Sequence, residues 1–456
     1  MKPVLKQNIM IRRLFVILLL LSFVLPFQTT VVQASAGILS GPGWVVVASN
    51  EEIIDPIYGA LVTPAIYTIY SEDQSVYGPF LVNELRQYDE GSGFPINSSV
   101  FDVSVTPDGQ TVLLVERDLR LVHFIDLSDP TAPVYLDSVQ LFSSINDLAI
   151  TPDGRFALVS AESVSVVSIH QRKLVYQLVL PTFERDIDND PVYGYASAIA
   201  VNNAGTIVVA DAINHAVHTI RLWSNGAMTY YGSHKYFLNV DGDVALSDEE
   251  NYQRFNPINV TIAPDESTVL VSDGLNYVDT TQTTYQNLYA VGVYQITSPG
   301  QVQFIDVLSG LPRVMQSFDF NRDGSKAYAL GNNGASYDES ASPQTTLLND
   351  SLYMFDMNGT GDIVFDNSQS VDLLFNTTDQ YQGTDCLAVY EGIAYMTYAN
   401  DSLDSTSFPQ RFVSIVDLSD LSLQQLNWGS TSQVTPTGVG VRVFIPFKTY
   451  FPLVNK

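Results

Sequence analysis

The most regular feature of the chain is an alternating apolar strand, a turn containing Pro, Asp and Gly, and then a second apolar strand. The clearest copies of this phrase are residues 102–109 and 147–154, which both read Asp-x-x-x-Thr-Pro-Asp-Gly. Weaker copies begin at Ala198, Asn259, Ser317 and Cys386. Alternation with a period of two is typical of β-strands, and Asp-Gly favours a tight hairpin. The pattern therefore predicts a repeated β-hairpin.

A third apolar strand follows each hairpin, for example residues 121–127 and 164–169, and a fourth follows after a short turn. Each repeat then predicts a four-stranded antiparallel meander, and the spacing of the repeats suits the blades of a β-propeller. A β-sandwich followed by a second β-domain is the alternative that this pattern leaves open.

Six copies leave strands unassigned at both ends of the chain. Residues 44–48, 65–70 and 76–82 look like the second, third and fourth strands of an earlier blade that lacks its innermost strand. Residues 438–444 provide a spare apolar strand near the C-terminus. We therefore predict an all-β, seven-bladed propeller whose ring is closed by the C-terminal strand, which also removes open sheet edges.

The recurring turn, together with Thr268-Val-Leu-Val-Ser-Asp273 and Ile125-Asp-Leu-Ser-Asp-Pro130, resembles the lactonase-type and YVTN-type seven-bladed β-propellers. The resemblance covers roughly residues 43–445. It implies a binding or surface protein, a gluconolactone hydrolase or a subunit of a quinone-dependent amine dehydrogenase. No position of this chain matches a catalytic motif of that superfamily, so the resemblance assigns no catalytic residue.

The first 36 residues are typical of a secretory signal peptide. Four basic residues precede an apolar run, and Ala34-Ser35-Ala36 provides small residues before a cleavage site. We expect cleavage after Ala36, a secreted or cell-surface protein and no stable membrane span afterwards. The alternative is a membrane anchor over residues 14–32, against which Pro26 and Gln28-Thr29-Thr30 argue. The predicted organisation is a signal peptide at 1–36, a propeller at 37–445 and a C-terminal tail at 446–456.

The amino-acid composition limits the classes of molecule that the protein is expected to bind. The net charge is −28 with 49 acidic and 21 basic residues, which repels nucleic acid and anionic membranes. A single cysteine excludes an internal disulfide framework. We expect a monomer whose partner is a protein, a glycan or a small molecule.

Long insertions concentrate in the loops between second and third strands and in the connectors between blades, which lie at the same end of a propeller. They are residues 83–99, 181–195, 239–257, 275–286, 332–349 and 400–410. Long loops on a rigid scaffold commonly carry function, so this end is the predicted binding face. The alternative is tolerated variation on a surface.

Two connectors are rich in oxygen ligands. Asn239, Asp241, Asp243 and Glu250 follow the spacing of an EF-hand loop, although Val244 stands where that loop requires Gly. Asp186, Asp188 and Asp190 lie one blade earlier. Both segments are candidate Ca²⁺ sites, and a solvated acidic loop is the alternative for each.

Catalytic motifs are scarce. Asp102 and Asp147 occupy equivalent inner-strand positions on adjacent blades, and paired carboxylates can act as general acid and base. The alternative is polar lining of a wet channel. Asn259 and Ser317 hold the same position in later copies and are candidate ligand-binding residues. The sequence thus favours a binding module, with a lactonase-type hydrolase as the alternative.

Overall fold

The computed structural model describes residues 43–55, 59–82, 100–117, 119–181, 196–238, 244–245, 253–273, 276–278, 285–287, 289–332, 351–358, 363–365, 369–373, 387–397, 412–427 and 440–444. These residues form antiparallel sheets without an α-helix, and seven of the sheets have at least four strands. The described part of the chain therefore contains no helix with the length and hydropathy needed to cross a membrane.

Seven sheets, which we number as blades 1 to 7, follow one another around a ring. Blade 1 contains β1 (Trp44–Asp55), β2 (Gly59–Tyr70), β3 (Val76–Leu81) and, from the end of the chain, β34 (Gly440–Phe444). Blade 2 contains β4 (Val100–Val105), β5 (Thr111–Glu116), β6 (Leu121–Asp126) and β7 (Val134–Gln140). Blade 3 contains β8 (Asp147–Ile150), β9 (Phe156–Ser160), β10 (Ser163–Ser168) and β11 (Lys173–Val179). Blade 4 contains β12 (Ala196–Val201), β13 (Thr206–Asp211), β14 (Ala216–Leu222) and β15 (Met228–His234).

The later blades carry additional strands. The connector after blade 4 forms a small sheet of β16 (Phe237–Leu238), β17 (Val244–Ala245) and β18 (Gln253–Arg254). Blade 5 contains β19 (Pro257–Ile262), β20 (Thr268–Asp273), β23 (Tyr289–Ser298) and β24 (Gln301–Leu311), and β21 (Asn276–Val278) pairs with β22 (Tyr285–Asn287) in a separate hairpin. Blade 6 contains β25 (Val314–Phe320), β26 (Lys326–Asn332), β27 (Ser351–Met357), β28 (Ile363–Phe365) and β29 (Val371–Asp372). Blade 7 contains β30 (Leu387–Tyr390), β31 (Ile393–Met396), β32 (Phe412–Asp417) and β33 (Ser422–Asn427).

The C-terminal strand closes the ring as the sequence predicts. β34 pairs with β1 in antiparallel register, from Trp44 opposite Phe444 to Ala48 opposite Gly440. The blade it completes contacts blade 7 through Val45, Val47 and Tyr67, which are buried against Tyr395 and Ile415. The prediction of a seven-bladed, all-β ring is confirmed.

The hydrophobic core is divided into clusters that each lie between two neighbouring blades. Apolar side chains of one sheet face meet those of the next, and one such cluster occupies each of the seven blade interfaces. Burial of apolar area stabilises a fold by about 25 cal/mol per Å². Because this burial lies between the blades, the ring depends on contacts between neighbouring sheets.

The outermost strands of blades 2 to 5 carry an extra residue at the same place. The register between third and fourth strands shifts there, and the unpaired residue is Leu136, Val175, Tyr231 or Ile305. A bulge interrupts the row of free backbone groups at a sheet edge. These bulges therefore hinder edge-to-edge association of the outer strands, although each leaves an apolar side chain partly exposed.

The turn between β12 and β13 requires glycine at position 205. Gly205 has a φ of +76°, and a Cβ there would lie 2.6 Å from the backbone oxygen of Leu222. We expect Gly205→Ala to lower the free energy of unfolding by about 3 kcal/mol, because left-handed strain and a clash with fixed backbone add together. The matched control is Gly310→Ala, where φ is +72° but no atom lies within 4 Å of the added carbon. Urea unfolding that gives equal losses in the two variants would contradict this explanation.

Candidate functional site

The two ends of the propeller differ in the structure that they carry. The first-to-second and third-to-fourth turns lie at one end, which we call the turn end. At the other, the loop-rich end, the β1–β2 hairpin continues past Ser49 and Ala65 to Asp55 and Gly59. The β16–β17–β18 sheet lies in an inter-blade connector, and the β21–β22 hairpin in a second-to-third loop. Among the described residues, these additional strands therefore belong to segments of the loop-rich end.

The two candidate catalytic carboxylates connect neighbouring blades. One Asp102 oxygen accepts the backbone N–H of Val103 at 2.7 Å, and the other accepts the N–H of Leu148, on blade 3, at 3.0 Å. Asp147 repeats the arrangement with the N–H of Leu148 at 2.8 Å and that of Ile199, on blade 4, at 2.7 Å. The two carboxylates lie close together, since both accept the backbone N–H of Leu148. We call each such contact a carboxylate bridge.

Blade 6 forms a third carboxylate bridge that the sequence pattern did not indicate. Asp319 accepts the N–H of Phe320 at 2.8 Å and that of Val389, on blade 7, at 2.7 Å. It lies two residues after Ser317, which occupies the position equivalent to Asp102 in the repeat. The alternation of side chains keeps Asp319 on the same face of the strand.

The two candidate ligand-binding residues are buried. Asn259 is 5% exposed, and its amide nitrogen donates to the backbone oxygen of Gln316, on blade 6, at 2.5 Å. Ser317 is 1% exposed, and its hydroxyl has no hydrogen-bond partner among the described residues. Asn259 thus connects two blades, as the carboxylates do, but as a hydrogen-bond donor. Asn259 also begins an Asn-x-Thr glycosylation sequence, and its burial makes the side chain inaccessible to a glycosyltransferase in the folded protein.

A cavity of about 270 Å³ lies along the ring axis, where the innermost strands face one another. Its wall is formed by residues of blades 2 to 6 and includes Asp147, Asn259, Thr261 and Asp319. Two of these are carboxylates whose oxygens accept backbone N–H groups. Asp147, Asn259 and Asp319 in the cavity wall therefore form hydrogen bonds between neighbouring blades.

The carboxylate bridge of Asp147 gives a direct prediction. Asp147→Ala removes the acceptor of the buried Ile199 N–H, and we expect the free energy of unfolding to fall by about 3 kcal/mol, because hydrogen bonds to charged groups contribute about 1.5–3 kcal/mol. Asp137→Ala is the matched control, since Asp137 accepts the N–H of Ser138 at 2.9 Å but is exposed. We expect this control to change stability by about 0.5 kcal/mol or less. Chemical denaturation that ranks the two variants in the opposite order would refute a structural role for Asp147.

The chain was compared with known proteins at the level of sequence and of structure. No protein-family model and no curated protein matches the sequence. A protein of unknown function from Desulfotomaculum acetoxidans is 15% identical with a TM-score of 0.57, over 89% of this chain and 100% of that one. The periplasmic gluconolactonase of Pseudomonas aeruginosa is 12% identical with a TM-score of 0.54, over 89% and 99%. A putative 6-phosphogluconolactonase from Bacteroides fragilis is 9% identical with a TM-score of 0.53, over 88% and 98%.

The chain has the fold of the lactonase-type seven-bladed β-propellers. The resemblance predicted from the repeats is confirmed for the fold, and at these identities it extends to the fold alone.

Two blades of this propeller contain a buried histidine that contacts a carboxylate and a tyrosine. In blade 4, His218 Nε2 lies 3.1 Å from Asp211 Oδ2, and Nδ1 lies 3.1 Å from the Tyr230 hydroxyl. The backbone N–H and side-chain amide of Asn214 also donate to Asp211, at 2.9 and 2.8 Å. Burial by itself raises the pKa of Asp211, but the hydrogen bonds from His218 and Asn214 outweigh it and hold that pKa below the ordinary value.

Blade 2 repeats this arrangement at equivalent positions. His123 Nε2 lies 2.8 Å from Glu116 Oε2, both residues are buried, and Tyr135 lies beside the imidazole with ring centroids 6.0 Å apart. In both blades the acid ends the second strand and the histidine lies seven residues later, on the third strand. Because the same network recurs in two blades, we interpret it as part of the architecture of the propeller. Both histidines are packed within third strands, His123 in β6 and His218 in β14.

The candidate Ca²⁺ ligands Asp186, Asp188, Asp190, Asn239, Asp241, Asp243 and Glu250 lie outside the described residues. Within the described residues, no group of three or more His, Cys, Asp or Glu side chains is arranged to hold a metal ion. The Ca²⁺ sites therefore stay a prediction from sequence.

Proposed function

We propose that the protein is an exported binding module that takes a protein, a glycan or a small molecule on its loop-rich end. The observation that carries the proposal is the asymmetry of the propeller. The extended β1–β2 hairpin, the β16–β17–β18 sheet and the β21–β22 hairpin belong to segments of one end, whereas the turn end has short turns. Extra structure on one face of a rigid scaffold is the usual location of a binding surface. The proposal of export is based on the predicted signal peptide. Bound Ca²⁺ would order the acidic connectors at this end of the propeller.

The inner carboxylates favour binding over hydrolysis. A general base must reach a substrate proton, but both oxygens of Asp102 and of Asp147 already accept backbone N–H groups. Asp102 is 0% exposed and Asp147 is 4% exposed. These two residues therefore suit a structural role.

The experiment compares two variants of residues 37–456 on glycan and peptide arrays, with and without millimolar Ca²⁺. The loop variant has residues 51–63 and 275–287 replaced by short Gly-Ser turns. The matched control is Asp129→Ala with Asp420→Ala, which changes third-to-fourth turns at the opposite end. We expect the loop variant to lose the ligands that wild type and the control retain. Equal binding by the two variants, or no ligand for the wild type, would refute the proposal.

A lactonase-type hydrolase is the second candidate. It is favoured by the axial cavity with Asp147 and Asp319 in its wall, and by the similarity in fold to a gluconolactonase. It requires at least one inner carboxylate to leave its backbone partners and act on substrate.

A further inference from the structure

The axial cavity extends to the turn end of the propeller. Most of its wall comes from the C-terminal halves of the innermost strands, which end there. Leu148 and Ile199 in the wall are buried, whereas Ile150 and Val201, two residues further along the same strands, are half-buried. Pro107, in the turn after β4, also lines the cavity and is exposed. The cavity is therefore accessible to a small molecule from the turn end.

One position of the repeat lines the cavity in five consecutive blades. It is the third residue of the recurring phrase, and its occupants in blades 2 to 6 are Ser104, Ala149, Ala200, Thr261 and Asp319. The two alanines leave space, and the other three residues provide oxygen atoms. Ser104 is 7% exposed, and its hydroxyl forms no hydrogen bond with another described residue. The cavity, of about 270 Å³, thus has polar groups available to a ligand.

The backbone adds hydrogen-bond acceptors to the deep part of this wall. The N–H groups of Leu148 and Ile199 point away from the neighbouring strand of their own blade, because the inner carboxylates accept them. The N–H and C=O of one residue in an antiparallel strand point to the same side. The carbonyl oxygens of Leu148 and Ile199 therefore also face the axis, where their own N–H groups are already bonded.

The residues around the axis carry a negative charge. The seven innermost strands contain three acidic residues, Asp102, Asp147 and Asp319, and one basic residue, Arg442 in β34. Carboxylates in the wall of a cleft attract cations and repel anions such as phosphate esters. The described side chains include no group of three or more His, Cys, Asp or Glu that could hold a metal ion. An organic cation therefore suits this wall better than a metal ion.

We propose that the turn-end half of the axial cavity binds a small organic cation through a primary ammonium group. An ammonium has three N–H donors and no acceptor, which matches the carboxylate, hydroxyl and carbonyl oxygens of the wall. Hydrogen bonds between an ammonium and a carboxylate are about twice as strong as those between neutral groups. The site lies at the opposite end of the ring from the binding surface proposed above, and it is independent of that surface.

The test titrates residues 37–456 with 1,4-diaminobutane and with the neutral 1,4-butanediol in a calorimeter. We expect the diamine to bind and the diol not to bind. Asp319→Asn keeps the shape of the side chain but removes its charge, and we expect it to weaken diamine binding at least about tenfold. The matched control is Asp306→Asn, which we expect to retain wild-type affinity. Asp306 accepts the N–H of the next residue at 2.8 Å, as Asp319 does, but it is exposed on the outermost strand β24.

A second variant separates binding in the cavity from general attraction of cations to an acidic protein. Ala200→Leu fills the cavity without changing any charge, and we expect it to abolish diamine binding in a protein that urea unfolding shows to be folded. If this variant does not fold, the comparison of Asp319→Asn with Asp306→Asn decides. The loop variant keeps the turn end, and we expect it to bind the diamine like the wild type.

Four results would overturn the inference. They are a wild type that does not prefer the diamine to the diol, equal affinities of Asp319→Asn and Asp306→Asn, diamine binding that a folded Ala200→Leu protein retains, and diamine binding that the loop variant loses. The last result would place the cation at the loop-rich end. Array binding that is lost in the loop variant while diamine binding persists would show that the two sites are separate.

Discussion

Removing residues 438–456 is expected to lower the free energy of unfolding by about 5 kcal/mol, because five residue pairs of the β1–β34 ladder are lost at about 1 kcal/mol for each hydrogen bond. The loss also exposes the inner edge of β1 and opens a path for edge-to-edge association. Urea unfolding at low protein concentration measures the first effect, and light scattering measures the second.

The matched control for this deletion removes residues 446–456 only and leaves β34 intact. We expect the control to unfold like the full chain and to stay monodisperse. If the two truncated proteins are equally stable, the pairing of β34 with β1 does not stabilise the ring. Another contact would then have to join the first and last blades.

The second large effect is expected at the buried pair in blade 4. His218→Ala removes the imidazole nitrogen that lies 3.1 Å from the carboxylate of Asp211, which is 0% exposed, and loss of one member of a buried pair costs about 3–5 kcal/mol. We expect a loss of about 4 kcal/mol in chemical denaturation at pH 7. The control is His170→Ala, an exposed histidine in the turn between β10 and β11, which we expect to have almost no effect.

The His218–Asp211 pair also makes the free energy of unfolding depend on pH. The pKa of Asp211 is lower in the folded protein than in the unfolded chain, so its stabilising contribution is complete above the unfolded value near 3.8 and is lost as the pH falls through the lower folded pKa. Removing His218 takes away the main interaction that lowers this pKa. The stability of His218→Ala should therefore change less than that of the wild type below about pH 4. An acid profile that runs parallel to the wild type would mean that His218 does not stabilise the Asp211 carboxylate.

The blade architecture was predictable because it depends on local patterns. Period-two alternation and Asp-Gly turns define each hairpin, and the unmatched strand at residues 438–444 indicates how the ring closes. The structure assigns this strand to residues 440–444. These features do not depend on how one blade lies against another.

The roles of the inner polar residues were not predictable from local sequence patterns, because they depend on how neighbouring blades pack. The Asp102 and Asp147 bridges join residues 46 and 52 positions apart, and they depend on the distance between neighbouring innermost strands. Asp319 was missed because the repeat aligns Ser317 with Asp102, and only the packed blades show that an acid two residues later reaches the next strand. A comparison of strand ends could have found the acids that partner His123 and His218, since both lie seven residues before the histidine.

The central claim is that the inner carboxylates hold the ring together and that the protein acts by binding at its loop-rich end. The most direct test is the hydrolysis of D-glucono-1,5-lactone by the wild type and by the Asp102→Asn/Asp147→Asn double variant, with unfolding measured in the same samples. We predict no hydrolysis above the uncatalysed rate by the wild type and a clear loss of stability in the double variant. Turnover by the wild type that disappears in a double variant of unchanged stability would contradict the claim and identify the carboxylates as catalytic.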